Sequence, residues 1–134
     1  MADHFLGTWK LNVAKSKYSP GPAPKSFTIK QEDWEGGLKF ASDGIDAKGN
    51  PTHGEYSAKF DGKDYPMKGN PIADTVSPKR IDAYTVESVL KKGGKVVLNG
   101  RAVVSRDGKT LTLTETGKNA QGQEVNNIRV SEKQ

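Results

Sequence analysis

The stretch Phe5-Leu6-Gly7-Thr8-Trp9-Lys10-Leu11-Asn12 puts Phe5, Trp9 and Leu11 on one side and Thr8, Lys10 and Asn12 on the other. Successive side chains of an extended chain point to opposite faces, so this alternation predicts a strand with one buried and one solvated face. The same period of two returns in Phe27-Thr28-Ile29-Lys30, Leu38-Lys39-Phe40, Tyr56-Ser57-Ala58-Lys59-Phe60, Tyr84-Thr85-Val86 and Leu111-Thr112-Leu113-Thr114. Between these runs stand Gly36-Gly37, Asp43-Gly44, Gly49-Asn50-Pro51, Asp61-Gly62, Gly69-Asn70-Pro71, Gly93-Gly94 and Asp107-Gly108, which accept the backbone of tight hairpin turns. Nine or ten strands are expected, over residues 5–12, 26–32, 37–42, 53–60, 64–67, 74–80, 83–91, 95–105, 110–116 and 124–132.

Helices have little room in this pattern. The best candidate, Val13 to Tyr18, is too short, and it runs into Ser19-Pro20-Gly21-Pro22-Ala23-Pro24, whose three prolines favour an extended crossing loop. Lys48-Gly-Asn-Pro recurs as Lys68-Gly-Asn-Pro, which reads as two similar hairpin tips. A sheet this large without covering helices would expose an apolar face and two unpaired edges, so it must close or fold over itself. Residues 1–134 therefore predict one all-β domain, a single antiparallel up-and-down β-barrel of 8–10 strands. A two-sheet sandwich is the alternative, disfavoured because its Greek-key crossings need longer connections.

Composition narrows the function classes. The 134 residues hold only 26 Leu, Ile, Val and Phe, about 19%, close to the range of disordered chains. Disorder also needs a large net charge, whereas 21 Lys and Arg against 16 Asp and Glu leave +5. The absence of cysteine excludes disulfides, a thiol nucleophile and thiolate metal sites, and fits any redox compartment. No apolar run approaches the ~20 residues of a membrane helix, so no integral membrane segment is expected. Met1-Ala-Asp-His lacks the basic and apolar regions of an export signal. The compartment reads as cytoplasmic as written, or periplasmic or secreted if a leader has been removed. Lysines make up 17 of the 21 cations and are scattered from Lys10 to Lys133, a diffuse surface without the clustered stripe of a nucleic-acid partner.

Chemistry-bearing clusters are sparse. His4 and His53 lack companion ligands at familiar spacing, so no metal, haem or other cofactor is expected. The acids sit in turns (Asp43, Asp61, Asp107) or beside lysines, and no acid-base pair points to catalysis. Thr110, Thr112, Thr114 and Thr116 form a stripe opposite Leu111 and Leu113, suited to an exposed strand face. Trp9 has the size to plug one end of a small barrel, with Gly7 letting another segment approach.

Both ends of the chain resemble a known family. Met1-Ala-Asp-His-Phe-Leu-Gly-Thr-Trp-Lys-Leu resembles the opening strand of the intracellular fatty-acid-binding proteins, and Gly7-Thr8-Trp9 matches the Gly-X-Trp signature they share with lipocalins. Asn127-Ile128-Arg129-Val130-Ser131-Glu132-Lys133 resembles their closing strand, whose pattern is Arg-X-Tyr-Glu-Lys. The Gly-Thr-Trp-Lys-Leu-Asn opening followed by Ser16-Lys17-Tyr18-Ser19-Pro20-Gly21-Pro22-Ala23-Pro24 is similar to that of small bacterial lipocalin-like proteins. These resemblances imply a calycin fold: a closed barrel of ten strands, or eight in lipocalins, around a cavity for a small apolar ligand. The family's helical lid after the first strand is expected to be missing, because Val13 to Lys25 holds the proline-rich segment. Arg129 matches the arginine of the family's carboxylate-binding triad, while Ser131 stands where the tyrosine belongs. Arg101 lies in the strand that often carries a second ligand-facing arginine, two residues further from the Asp107-Gly108 turn than the pattern has it.

For Arg129 two positions remain open. Facing inward with Val125, Asn127 and Ser131, its planar guanidinium would hold a ligand carboxylate bidentately. Spanning the barrel end over Trp9, it would be a cation on an aromatic face. The expected function is non-catalytic binding of a small hydrophobic or amphipathic ligand, with or without a carboxylate. Phe27, Phe40, Tyr56, Phe60, Tyr65 and Tyr84 would line the wall, with Arg129 and Arg101 as polar anchors. The alternative is a barrel filled by its own side chains, serving as a structural or protein-interaction module; the oligomeric state stays open in both.

Overall fold

The computed structural model describes residues 4–70, 72–118 and 121–134. The strands are β1 (Gly7–Leu11), β2 (Lys17–Ser19), β3 (Ser26–Trp34), β4 (Gly37–Ile45), β5 (Pro51–Ala58), β6 (Tyr65–Lys68), β7 (Thr75–Asp82), β8 (Thr85–Lys92), β9 (Lys95–Val104), β10 (Thr110–Lys118) and β11 (Glu124–Lys133). Going round the wall, β1 pairs with β3, each strand from β3 to β11 pairs antiparallel with the next, and β11 returns to β1. That pairing closes a ten-strand barrel, and the sandwich alternative falls away. All ten expected strand regions carry a strand.

The eleventh strand was not expected. β1 and β2 lie along the same edge of β11: Trp9, Lys10 and Leu11 stand opposite Lys133, Glu132 and Ser131, and Lys17, Tyr18 and Ser19 opposite Ile128, Asn127 and Asn126. Between them the candidate helix Val13 to Tyr18 shrinks to one 3-10 turn, Val13–Lys15, whose Lys15 N–H is capped by Asn12 Oδ1 at 3.1 Å. Local side-chain bonds outcompete helix here. The Ser16 hydroxyl accepts the Val130 N–H at 2.9 Å and donates to the Asn12 carbonyl at 2.7 Å, standing in for the ladder partner that the turn removes. Pro20 to Pro24 pair with no strand, in keeping with a crossing loop.

β1 also pairs with β3, from Gly7 opposite Gln31 to Lys10 opposite Thr28. β2 pairs with β11 alone, so beyond Thr28 the two strands part and the wall opens. At the other end Trp9, 0% exposed, donates its indole N–H to the Phe5 carbonyl at 3.0 Å, and the Gln31 amide donates to the same oxygen at 2.6 Å. Phe5, Ile29, Val86, Val104 and Leu111 pack round the indole as a plug. Gly7 has φ +125, and a Cβ there would lie 2.8 Å from Lys133 Cε. Its bare backbone lets the Lys133 side chain cross to within 5.5 Å of the Trp9 ring. The cation on Trp9 is therefore Lys133, and the placement of Arg129 there is corrected.

A second, smaller cluster of Ala73, Val76, Leu90, Leu98 and Val125 forms the rest of the core. The threonine stripe of β10 runs along the outside, with Leu111 buried beneath it. The two Lys-Gly-Asn-Pro tips differ in construction: Asp46 Oδ1 takes the N–H groups of Lys48 and Asn50, whereas Asn70 Oδ1 takes those of Ile72 and Ala73. Pro71, and Met1 to Asp3 of the opening motif, lie outside the described residues.

Two predictions test this framework. Ser16→Ala leaves the Val130 N–H without its partner and should cost about 1–3 kcal/mol in urea denaturation; an unchanged midpoint would show that the hydroxyl does not carry the strand break. On the outer face Asp43 and His53 are cross-strand partners, with Nδ1 2.7 Å from Asp43 and Nε2 3.1 Å from Glu55. The hydrogen bond to Asp43, then that to Glu55, raises the imidazole above its ordinary 6.5. A raised folded-state value means that His53 stabilises the fold below the unfolded pKa and loses that contribution as pH climbs through the folded one. NMR titration of the ring should give a value above 6.5 that falls in Asp43→Asn.

Candidate ligand-binding site

Small side chains at inward positions hollow the barrel. Ser88 of β8 faces Gly100 of β9, which faces Glu115 of β10, and Ala102 faces Leu113. Glycine, serine and alanine therefore stand at wall positions where larger side chains would meet. A cavity of about 370 Å³ occupies the space they leave, within the roughly 300–1,000 Å³ of small-molecule sites. Its walls are mostly apolar, with Phe27, Ile29, Leu38, Phe40, Tyr56 and Leu113 prominent. The register pair Phe40 and Tyr56 stack their rings at 4.6 Å and 15°. Burial pushes the Tyr56 phenol well above its ordinary 10.

The polar part of the wall comes from β10 and β11. Leu113 stands opposite Arg129 and Glu115 opposite Asn127, so the four side chains share the inner face. Arg129 Nη2 lies 3.0 Å from Glu115 Oε1, with the Glu115 side chain 8% exposed and the Arg129 side chain 27%. Asn127 Nδ2 is 3.4 Å from the same oxygen. The guanidinium carbon lies 5.6 Å from the Tyr18 ring of β2 and 5.4 Å from the Phe27 ring of β3, the two strands that part here. Among the described residues, two buried donors beside this pair, Arg129 Nε and the Tyr18 hydroxyl, have no hydrogen-bond partner. Burial raises the Tyr18 phenol pKa above 10, with Arg129 opposing and Glu115 adding to the rise.

A second cavity of about 570 Å³ lies outside the opening, between Tyr18, Pro22 and Pro24 on one side and Asp46 to Lys48 and Asn50 on the other. Phe27, Thr52 and Arg129 line both cavities, so Arg129 stands at their junction.

Five of the expected site residues, Arg129, Phe27, Phe40, Tyr56 and Phe60, line the inner cavity. Arg101 does not: inward Gly100 and Ala102 force it out, where it pairs with Glu87 at 3.0 Å with its side chain 56% exposed. Tyr84 sits in the turn before β8 and stacks on His4 at 4.4 Å, outside the cavity. Tyr65 packs on the second cluster and donates its hydroxyl to Asp61 at 2.7 Å. Sequence reasoning missed Glu115 and Tyr18. Glu115 carries a signal, since it continues the inward parity of Leu111 and Leu113, whereas nothing in the pattern marks Tyr18.

Among the described residues no group of three or more His, Asp and Glu is placed to hold a metal ion. No helix among them is long and apolar enough to cross a membrane. No family model and no curated protein matches the chain. Among solved structures, the crystal structure of the zebrafish ileal bile acid-binding protein complexed with cholic acid aligns with a TM-score of 0.60, over 98% of this chain and 99% of that one, at 14% identity. The likeness is one of fold: the chain forms a closed ten-strand antiparallel barrel like that of this bile acid-binding protein, without a helical lid among the described residues.

Proposed function

We propose that this protein binds, without catalysis, a small amphipathic molecule inside the barrel, its apolar body against Phe27, Phe40 and Tyr56 and its polar group at Arg129. The observation that carries this reading is the cavity of about 370 Å³, apolar over most of its wall, with the partly exposed Arg129 side chain on its polar side. The cavity also favours this reading over a barrel packed solid by its own side chains. The zebrafish neighbour, solved with cholic acid, supports it as well, since that ligand combines an apolar body with polar groups.

The test is calorimetric titration of fatty acids, retinoids and bile acids, with amide chemical shifts to locate them. At least one should saturate and shift resonances of β4, β5 and β11. A ligand at 100 times its Kd should stabilise the fold by about 2.7 kcal/mol through mass action. Gly100→Leu is the control, because a Cβ there meets only ordinary contacts, the nearest being Leu113 Cδ1 at 3.5 Å, while the longer side chain fills the cavity. It should weaken binding at least about tenfold, or by 1.4 kcal/mol. No saturable binding across the panel, or equal affinity in Gly100→Leu, would defeat the proposal.

A further inference from the structure

We infer that the polar group this site accepts is uncharged, an amide, ketone, ester or alcohol oxygen, and not a carboxylate. The inference rests on the ligand-binding reading above and deepens it.

The reason lies in the charge already present. Arg129 is the cation of the inner corner, and Glu115 already neutralises it at 3.0 Å from a position almost closed to water. A ligand carboxylate at the free edge of the guanidinium would set two anions on one cation and leave a net negative charge in a poorly solvated site. Burying a charge without its own partner is among the costliest steps available to a protein interior. The remaining charged residues that border the cavity, His53, Glu55 and Lys68, belong to its rim: His53 and Glu55 turn their side chains to the outer face, where the imidazole is engaged by both Asp43 and Glu55, and Lys68 is exposed to solvent. Water and salt screen such rim charges, so they do little to offset an anion at the inner corner.

The Arg129 side chain, 27% exposed, is the donor that the cavity reaches, and an uncharged oxygen accepts from it with no charge to bury. The Tyr18 and Phe27 rings beside the guanidinium turn toward it faces that carry partial negative charge, which makes a further full negative charge still less welcome. A primary amide adds N–H donors that can face the Glu115 carboxylate, so it complements the ion pair on both sides. The pairing of β2 with β11 opposite Asn127 holds the Tyr18 ring beside the guanidinium.

The experiment compares dodecanamide with dodecanoate, identical in chain length and nearly so in head-group shape, by calorimetry at pH 7.5 below micellar concentrations. Wild type should bind the amide at least about tenfold more tightly, a difference of 1.4 kcal/mol. Glu115→Gln leaves Arg129 without its anion, and the preference should shift at least tenfold toward the acid. Dodecanoate binding as tightly as the amide in wild type overturns the inference while leaving the ligand-binding reading in place. An unmoved preference in a folded Glu115→Gln overturns it too, and if that variant does not fold, the wild-type comparison decides the matter. Absence of saturable binding by either probe overturns this inference, while the wider ligand panel decides the ligand-binding reading.

Discussion

The edge of β11 is the constraint from which the rest of the structure follows. One side of that strand pairs with β10 along its length, and the other must be covered or left as an open edge. β1 covers the end from Ser131 to Lys133 and closes the barrel, which sets Trp9 inside the plug. The chain then steps out at Asn12, turns once, and returns as β2 to cover Asn126 to Ile128. Ser16 makes this detour possible by satisfying the Val130 N–H in the gap. Because β2 returns to β11 without reaching β3, the wall opens between Tyr18 and Phe27, and Arg129 is left facing both the inner and the outer cavity.

Much of this was legible in the sequence, and the reason is physical. In a strand the side-chain period is two, so alternation fixes which residues share a face, and the short turns dictate antiparallel neighbours. Closure followed from the cost of open edges. Arg101 shows where a different kind of reasoning misled. Leu98, Gly100 and Ala102 already place it on the outer face, but the family resemblance suggested an inward arginine, and the local alternation was the sounder guide. Tyr84 falls inside the strand expected over 83–91 and lies instead in the turn before β8, where no wall position exists.

Glu115 and Tyr18 escaped for two further reasons. A carboxylate in a strand flanked by threonines reads as solvated, because a lone acid almost never enters a core. Its partner sits fourteen residues away, on the neighbouring strand, and only the β10–β11 register brings them together. Tyr18 depends on a three-residue strand in a segment whose sequence favours neither helix nor sheet. The pairing exists because β11 offers an uncovered edge, which is a property of the closed barrel and not of the segment itself.

The low content of large aliphatics follows from the same architecture. The 26 Leu, Ile, Val and Phe residues do not fill one dense core; the buried ones gather into a plug around Trp9 and a smaller cluster toward the opposite side, with the cavity bordered by both. Inward positions between them go to Gly54, Ser88, Gly100 and Ala102, and to the polar set around Arg129. In a solid core such residues would cost stability through voids and unpaired groups. In a hollow barrel they define the volume and its polarity. Glu115 belongs to that design: it cancels the inner guanidinium, so the net charge of +5 resides outside this corner while the interior offers mostly apolar surface, with the neutralised Arg129 side chain on its polar side.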